Sequence, residues 1–532
     1  MKFTYIEHAK LLLLSILGAF LATLSYLTHT YNPLEFLIDK VTGFYPDSIL
    51  FNLWKNPPYD LLLRIYLFNV TNPQEFLDGT DKLRFQEVGP YVFKENLFNI
   101  NSTFNDNGTI SFIPKRRLEF QPQHSIGNPD VDKLLLPNLA LLGMSAALSE
   151  HSMFVQLGLS SLSSYYGMEP FNHITVTDFL YGYDDPLVSL ANDFVPNWID
   201  FSRLGILDRI MALDNASNVV TMNLNQHNNL SDNHTMTTEE SMPRPFSIQT
   251  WNGFAGFKQW GYESGSDSQT PPSTCNAVEG AFMGTLFPRH INKNDTFYLY
   301  RHAFCRTIPI TFENVTTTQD GFEGYLFRVK RDFLATREEN AENECYCISQ
   351  KCLRKGLGDL SPCYYTIPIV VSQPHFFNAD PTLLEEIGGM SPNETKHDTT
   401  MTIHPHIGVP LEANLRLQAN LAMPDSSYNS KTKPFSNLVL PLLWIDLIID
   451  QLPPKIQLYL KLLYHILPIV QDVVVYVFAV ASIFLIFGPA VKIFLYPSNT
   501  ETHHNSFHVK YSQIPVFSLR TKIFDPDILI QK

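Results

Sequence analysis

Four cysteines, Cys345, Cys347, Cys352 and Cys363, crowd the segment "NECYCISQKCLRKGLGDLSPC", and Cys275 and Cys305 lie upstream of it. A C-x-C followed by C-x10-C could supply half of a tetrahedral zinc site, and the same residues could equally form disulfides. Spacing does not separate the two chemistries; the redox compartment does. A second candidate is "GMSAA", Gly143 to Ala147, one residue away from the G-x-S-x-G elbow that exposes a serine nucleophile. That elbow needs a strand, a strained turn and a helix, whereas Ser145 lies in sequence that reads helical on both sides. The "HPH" of His404 to His406 and the "HH" of His503 and His504 lack H-E-x-x-H spacing. His404 and His406 read as structural, and His151 and His173 as surface residues. No catalytic, cofactor-binding or metal-binding residue is expected.

The compartment follows from two segments. Leu11 to Leu27 runs seventeen residues without a charge, and Val473 to Val491 runs nineteen. Each can cross a hydrocarbon core of about 30 Å as a helix. The first is long for a cleaved signal peptide, and "THTYNPLEF" after it offers no clear small-x-small cleavage site. Lys2, Lys10 and Lys492 flank the outer ends, while Glu35, Asp39 and Asp472 flank the inner ends. The positive-inside rule then puts both termini in the cytosol. The expected organisation is a cytosolic tail 1–10, a span 11–28, an extracellular or lumenal ectodomain 29–470, a span 471–491 and a cytosolic tail 492–532.

All six cysteines fall in the ectodomain, where oxidising conditions favour disulfides over zinc. Six cysteines allow fifteen pairings, and spacing chooses none of them. The N-x-S/T acceptors Asn69, Asn101, Asn107, Asn215, Asn229, Asn233, Asn294, Asn314 and Asn393 are also ectodomain residues. The formal charge of −14 argues against nucleic acid, which needs a basic stripe to neutralise phosphates.

Within the ectodomain, "FNINSTFNDNGTISFIPKRRLEF" places Asn107-Gly108 between two alternating runs, a hairpin signal. "FYLYRHAFCRTIPITFENV", "GYLFRVKRDFL" and "YTIPIVVSQPHFF" are rich in β-branched and aromatic residues and read as strands. From about 137 to 191 the apolar spacing becomes three-to-four and reads as a helical subdomain. Leu438 to Leu467 reads as an apolar stretch leading to the second span, interrupted by Pro453-Pro454.

"NPPYDLLLRIYLFNVTNPQEF", "FQEVGPYVF", "TVTDFLYGYDDPL", "PPSTCNAVEGAF", "CYC", "SQPHFFNADP" and "IHPHIGVPL" occur in the order found in the class B scavenger receptor family, and the chain resembles that family along nearly its whole length. The resemblance implies an α+β ectodomain: an irregular antiparallel β-barrel, an apical helical bundle and an internal hydrophobic tunnel, anchored by two transmembrane helices. It implies receptor and lipid-transport activity without catalysis or cofactor. It also implies disulfides joining Cys275 to Cys345, Cys305 to Cys363 and Cys347 to Cys352, the last across "ISQK", a gap shorter than usual for the family. The partners implied are lipids or lipoproteins; the alternatives are a sorting receptor for a lumenal protein and a phagocytic or adhesion receptor.

The C-terminal tail carries "FDPDILIQK", in which Asp525, Leu529 and Ile530 fit an acidic dileucine signal, and "YSQI", in which Tyr511 and Ile514 fit Y-x-x-Φ. Both resemble signals read by clathrin-adaptor-type sorting machinery, giving an expected location at the plasma membrane, the endosome–lysosome membrane, or both. Finally, Leu134 to Ser202 contains no lysine or arginine but holds Glu150, Glu169, Asp178, Asp184, Asp185, Asp193 and Asp200. As bare charges at a ligand mouth these would repel anions and favour neutral lipid; Asp178 and Asp184 could instead cap helices.

Overall fold

The computed structural model describes residues 5–224, 243–263, 273–347, 352–449 and 451–495. The chain divides into two compact units, Met1–Pro33 with Pro468–Lys532, and Leu34–Leu467.

In the first unit, helices Tyr5–Tyr31 and Leu467–Leu495 run side by side. The stretches Ala9–Tyr31 and Pro454–Leu495 include windows long and apolar enough to cross a membrane. Leu12, Phe20, Phe484 and Phe487 point outward, as side chains do when lipid is the solvent. Gly18 lets the backbones approach: a Cβ there would meet Ile486 and Leu485 at 2.8 and 2.9 Å. Ser25 Oγ donates to the Val475 carbonyl at 2.9 Å across the same contact. Small residues and interhelical hydrogen bonds are what hold helices together where no hydrophobic drive exists.

The second unit is built on a 13-stranded sheet whose paired strands are all antiparallel. Its path runs through Thr296–Tyr300, Thr307–Thr317, Glu323–Val329, Thr400–Ile403, Pro410–Ala422, Val439–Ile449, Leu61–Val70, Phe85–Asn105, Thr109–Phe120, Val220–Asn223 and Ile248–Trp251. The ladder path is open, but one short segment bonds to both of its edges. Gly280 and Ala281 exchange hydrogen bonds with Ile248, and Phe282 exchanges them with Tyr298 and Tyr300. Both edges thereby acquire partners, which removes a template for pairing with another chain. The Asn107-Gly108 signal becomes the turn between Phe85–Asn105 and Thr109–Phe120, with Gly108 at φ 74°.

One reading needs correction. The apolar stretch from Leu438 begins as Val439–Ile449, a strand central to the sheet with every residue buried. A strand buried on both faces loses its alternation and reads like any continuous apolar run. Only after Pro453-Pro454 does the chain turn helical, as Pro454–Lys461 and a π-turn at Leu462–Ile466.

The helical region is likewise interrupted. Helices Leu139–Ala147, Met153–Tyr165, Val176–Tyr181 and Pro186–Phe194 are accompanied by a two-stranded ribbon of Lys133–Pro137 with Phe171–Thr175. Ala140, Leu141, Met144, Leu159, Leu187, Val188 and Ala191 pack together as their core. The caps are not Asp178 and Asp184. Thr175 accepts from the Asp178 amide, and Asp185 accepts from the amides of Leu187 and Val188. Pro186, fixed at the first helical position, makes its predecessor the cap.

Three disulfides join Cys275 to Cys345, Cys305 to Cys363 and Cys347 to Cys352.

Candidate functional site

Strand alternation builds the site. In Val439–Ile449, the residues Leu443, Ile445, Leu447 and Ile449 share one face; in the neighbouring Pro410–Ala422, Ala413, Leu415 and Leu417 face the same way, paired with Ile449, Leu447 and Ile445. These side chains line two cavities in succession. The first, about 90 Å³, is closed over by Leu139 and Gly143 of the helical region and by Tyr364 and Ile367. The second, about 80 Å³, is lined by Leu415, Leu447 and Ile449 with Tyr59, Met283 and Leu299. They share Phe304 and Leu417 as a common wall. A third cavity, about 110 Å³, lies beyond Tyr59 and Thr285, which it shares with the second, and is lined by Trp54, Leu286, Ile456 and Leu460.

Each cavity is several times the roughly 10–15 Å³ that one water needs, yet the walls of the first and third are overwhelmingly aliphatic and aromatic, and water needs two or more polar partners to stay. Such space suits hydrocarbon.

The middle cavity has a polar flank. Arg116 and Arg301 line it, and behind them Glu95 and Asp214 are buried, with side chains 0% and 2% exposed. Arg301 donates to Asp214 at 2.7 Å and pairs with Glu95 at 3.3 Å. Arg116 completes the ring, bonding Glu95 and lying 3.8 Å from Asp214. Burial alone would raise the Glu95 pKa, but the two guanidiniums overcome it and hold the carboxyl below its usual range. Sequence reading missed all four residues: each stands among other charges of ordinary strands, helices and loops, as Arg116 does between Lys115 and Arg117, and the ring spans positions 95 to 301.

The opposite face of Val439–Ile449 carries a second polar cluster. Glu87 accepts from Trp444 Nε1 at 2.7 Å and sits 2.6 Å from His375 Nε2. His397 stacks on His375 with ring centroids 4.5 Å apart. Burial, reinforced by the adjacent His375, pushes His397 down to about 4 from 6.5. Burial with His406 and His465 nearby does the same to His404, also to about 4. Both histidines therefore bind fewer protons folded than unfolded. The stability this confers is complete above pH 6.5 and is lost as pH falls towards 4. Between pH 7 and pH 5 each should cost about 2 kcal/mol. Thermal unfolding of the intact protein in nanodiscs should show a clearly lower Tm at pH 5, and substituting both residues with glutamine should remove most of that difference. An unchanged Tm between the two pH values in the native protein would refute this.

The remaining sequence candidates scatter. Ser145 lies within Leu139–Ala147, buried, with Asn429 Nδ2 at 3.5 Å from its Oγ; the turn from strand Lys133–Pro137 into this helix falls at Asn138, not at Ser145. Among the described residues no group of three or more His, Cys, Asp or Glu could hold a metal ion. Asn101, Asn107, Asn294, Asn314 and Asn393 are exposed. Asn69 and Asn215 are half-buried, and their side-chain oxygens accept from the amides of Leu135 and Arg116. Asn229, Asn233, Tyr511, Ile514, Asp525, Leu529 and Ile530 lie outside the described residues.

Three of the seven acids in the lysine-free stretch are paired or buried. Asp184 pairs with Arg203 at 3.4 Å and Glu169 with Lys431 at 3.2 Å, while Asp185 is buried as a helix cap. The compensating cations come from just past the stretch, at Arg203, and from far downstream in the chain, at Lys431.

Two membrane-length helices and a disulfide-bonded antiparallel-sheet body enclosing a file of apolar cavities define a membrane-anchored protein with hydrocarbon-sized internal space. The chain belongs to the CD36 family, whose profile matches residues 13–493. It is similar to scavenger receptor class B member 1 of Mus musculus, with 30% identity over 402 residues, covering 75% of this chain and 73% of that one. The same protein of Sus scrofa matches at 30% over 403 residues, covering 75% and 72%. Lysosome membrane protein 2 of Homo sapiens matches at 29% over 398 residues, covering 74% and 76%.

Proposed function

We propose that this chain is a glycosylated two-span receptor, both termini cytosolic, that binds lipid or lipoprotein and passes lipid through its ectodomain. The observation that carries this reading is that three apolar cavities share wall residues in sequence, Phe304 and Leu417 between the first two, Tyr59 and Thr285 between the last two. A lipid crossing water exposes apolar surface at about 25 cal/mol per Å²; a dry conduit lowers that barrier with no bond made or broken. Tryptophan at Leu417 or Thr285 should block the shared walls. Uptake of a fluorescent neutral lipid by cells carrying either variant, matched for surface level, should fall at least fivefold (about 1 kcal/mol). Uptake equal to that of the native protein would sink the conduit.

A second reading, capture of a lumenal protein, is supported by helix Met153–Tyr165. Phe154 and Tyr165 are 80% and 82% exposed, with Leu157 and Leu162 beside them in the chain and also exposed. Large exposed apolar groups mark interaction surfaces. A protein partner retained stoichiometrically at pH 7 or 5, with no co-purified lipid, would favour it.

The tail motifs support cycling between the plasma membrane and endosomes or lysosomes through adaptor-type machinery. Replacing Leu529 and Ile530 by alanine should at least double the surface fraction measured by antibody labelling, since each docked apolar side chain contributes roughly 1.5–3 kcal/mol. No redistribution would dismiss the dileucine signal.

A further inference from the structure

The middle cavity has the most polar wall of the three and offers hydrogen-bond donors to whatever occupies it. Tyr59 lines it, and its hydroxyl has no hydrogen-bond partner among the described residues. Arg116 and Arg301 line it too, each with its side chain only 9% exposed. A guanidinium carries five N–H groups. The ring with Glu95 and Asp214 engages Nη1 of Arg116 and Nε and Nη1 of Arg301, leaving Nη2 of both without a partner among the described residues. They belong to guanidiniums whose side chains are nine-tenths buried, on the wall of a largely apolar space.

The charge count decides what they would accept. Two guanidiniums face two carboxylates, so the ring is neutral as built. An uncharged oxygen can take the spare N–H and O–H donors and leave the ring neutral. An ionised carboxylate or sulfonate would add a third anion to two cations in a buried site, where uncompensated charge is expensive.

We infer that the middle cavity is a headgroup station: Tyr59, Arg116 and Arg301 hydrogen-bond the uncharged oxygen of a lipid, such as a hydroxyl or ester carbonyl, and disfavour an ionised headgroup. The inference rests on the reading of the cavities as a lipid path. It gives a neutral-lipid preference an origin inside the ectodomain, independent of the acids in the helical region. The lipid tail would extend past Phe304 and Leu417 or past Thr285 into the adjoining apolar cavities.

Hexadecanol and hexadecanesulfonate test this, since they share a chain and differ in charge at every working pH. Each is titrated against a fluorescent sterol bound to the delipidated full-length protein in detergent. The native protein should bind hexadecanol at least tenfold more tightly, a difference of about 1.4 kcal/mol. Tyr59→Phe should weaken hexadecanol roughly fivefold and leave hexadecanesulfonate unchanged, as expected for one lost hydrogen bond. Glu95→Gln gives the ring a net positive charge and should improve hexadecanesulfonate at least tenfold, about 1.4 kcal/mol. Should that variant fail to fold, Tyr59→Phe carries the test alone. Equal affinity for the two probes in the native protein, or a ratio insensitive to the variants, overturns the station. If both probes still bind and Thr285→Trp abolishes them, the conduit survives that failure. If the native protein binds neither probe nor sterol, the conduit fails and the station with it.

Discussion

Replacing Arg301 by methionine should destabilise the folded unit Leu34–Leu467 by about 3–5 kcal/mol, the usual penalty for removing one partner from a buried ion pair. Arg301 is the partner that bonds Asp214 at 2.7 Å and also reaches Glu95 at 3.3 Å. Without it, two buried carboxylates share Arg116 alone, and one must be desolvated unpaired or protonated. The Asp214 carboxylate also accepts from the Ala303 amide at 3.3 Å, so the damage reaches the cavity wall at Ala303 and Phe304. The matching control is Arg203→Met. Its partner Asp184 has a side chain 90% exposed, and exposed pairs contribute about 0–1 kcal/mol. Thermal unfolding and the fraction reaching the cell surface should separate the two variants sharply. An Arg301→Met protein as stable as the Arg203→Met control would mean that the ring is held by packing and not by charge.

The second large effect concerns the bridge between Cys305 and Cys363, which are 58 residues apart in sequence. Constraining a loop of that size stabilises by roughly 4 kcal/mol in the chain-entropy description, against roughly 2 for the loop closed by Cys347 and Cys352. The neighbourhood adds to the longer bridge. The Cys305 carbonyl accepts from Trp260 Nε1 at 2.7 Å, and Tyr364, next to Cys363, donates to the Ala303 carbonyl at 2.6 Å. Tyr364 and Ala303 both line the first cavity. Alanine at both Cys305 and Cys363 should therefore lower Tm by much more than alanine at both Cys347 and Cys352, and should reduce lipid uptake at matched surface level. The reverse order of Tm would contradict the loop-length account. Non-reducing peptide mapping of the native protein should find no free thiol.

What the sequence discloses here depends on whether a residue's role is local. The two spans are legible because water-soluble folds seldom carry an uncharged apolar run of membrane length. The hairpin at Asn107-Gly108 is legible because its turn demands positive φ where glycine stands. The strand Val439–Ile449 hides for a local reason too: burial on both faces erases its period. The strand Phe171–Thr175 is five residues long, and Thr175 doubles as the cap of the following helix, so its strand signal has no length in which to build. The site itself is non-local. Leu417 lining a cavity and Leu440 packed in the core belong to the same apolar vocabulary, and none of the 39 phenylalanines declares which kind of neighbour it has. Glu95, Arg116, Asp214 and Arg301 become a unit only once three separate strand and helix assemblies have met.

The pairing of Leu61–Val70 with Val439–Ile449 has a consequence for how the protein is made. Leu67 lies opposite Leu443, and at roughly 5–20 residues per second a ribosome needs about 20–75 s to travel between them. Throughout that interval Leu63, Ile65 and Leu67 belong to a strand whose partner has not yet been synthesised. One side of the nascent strand is an unpaired apolar edge, the kind of surface on which chains associate wrongly. Folding of the sheet therefore has to wait, with the early strand kept from wrong partners, until the late strand arrives. A ribosome that stops short of Val439 leaves a product whose first strand can never be completed.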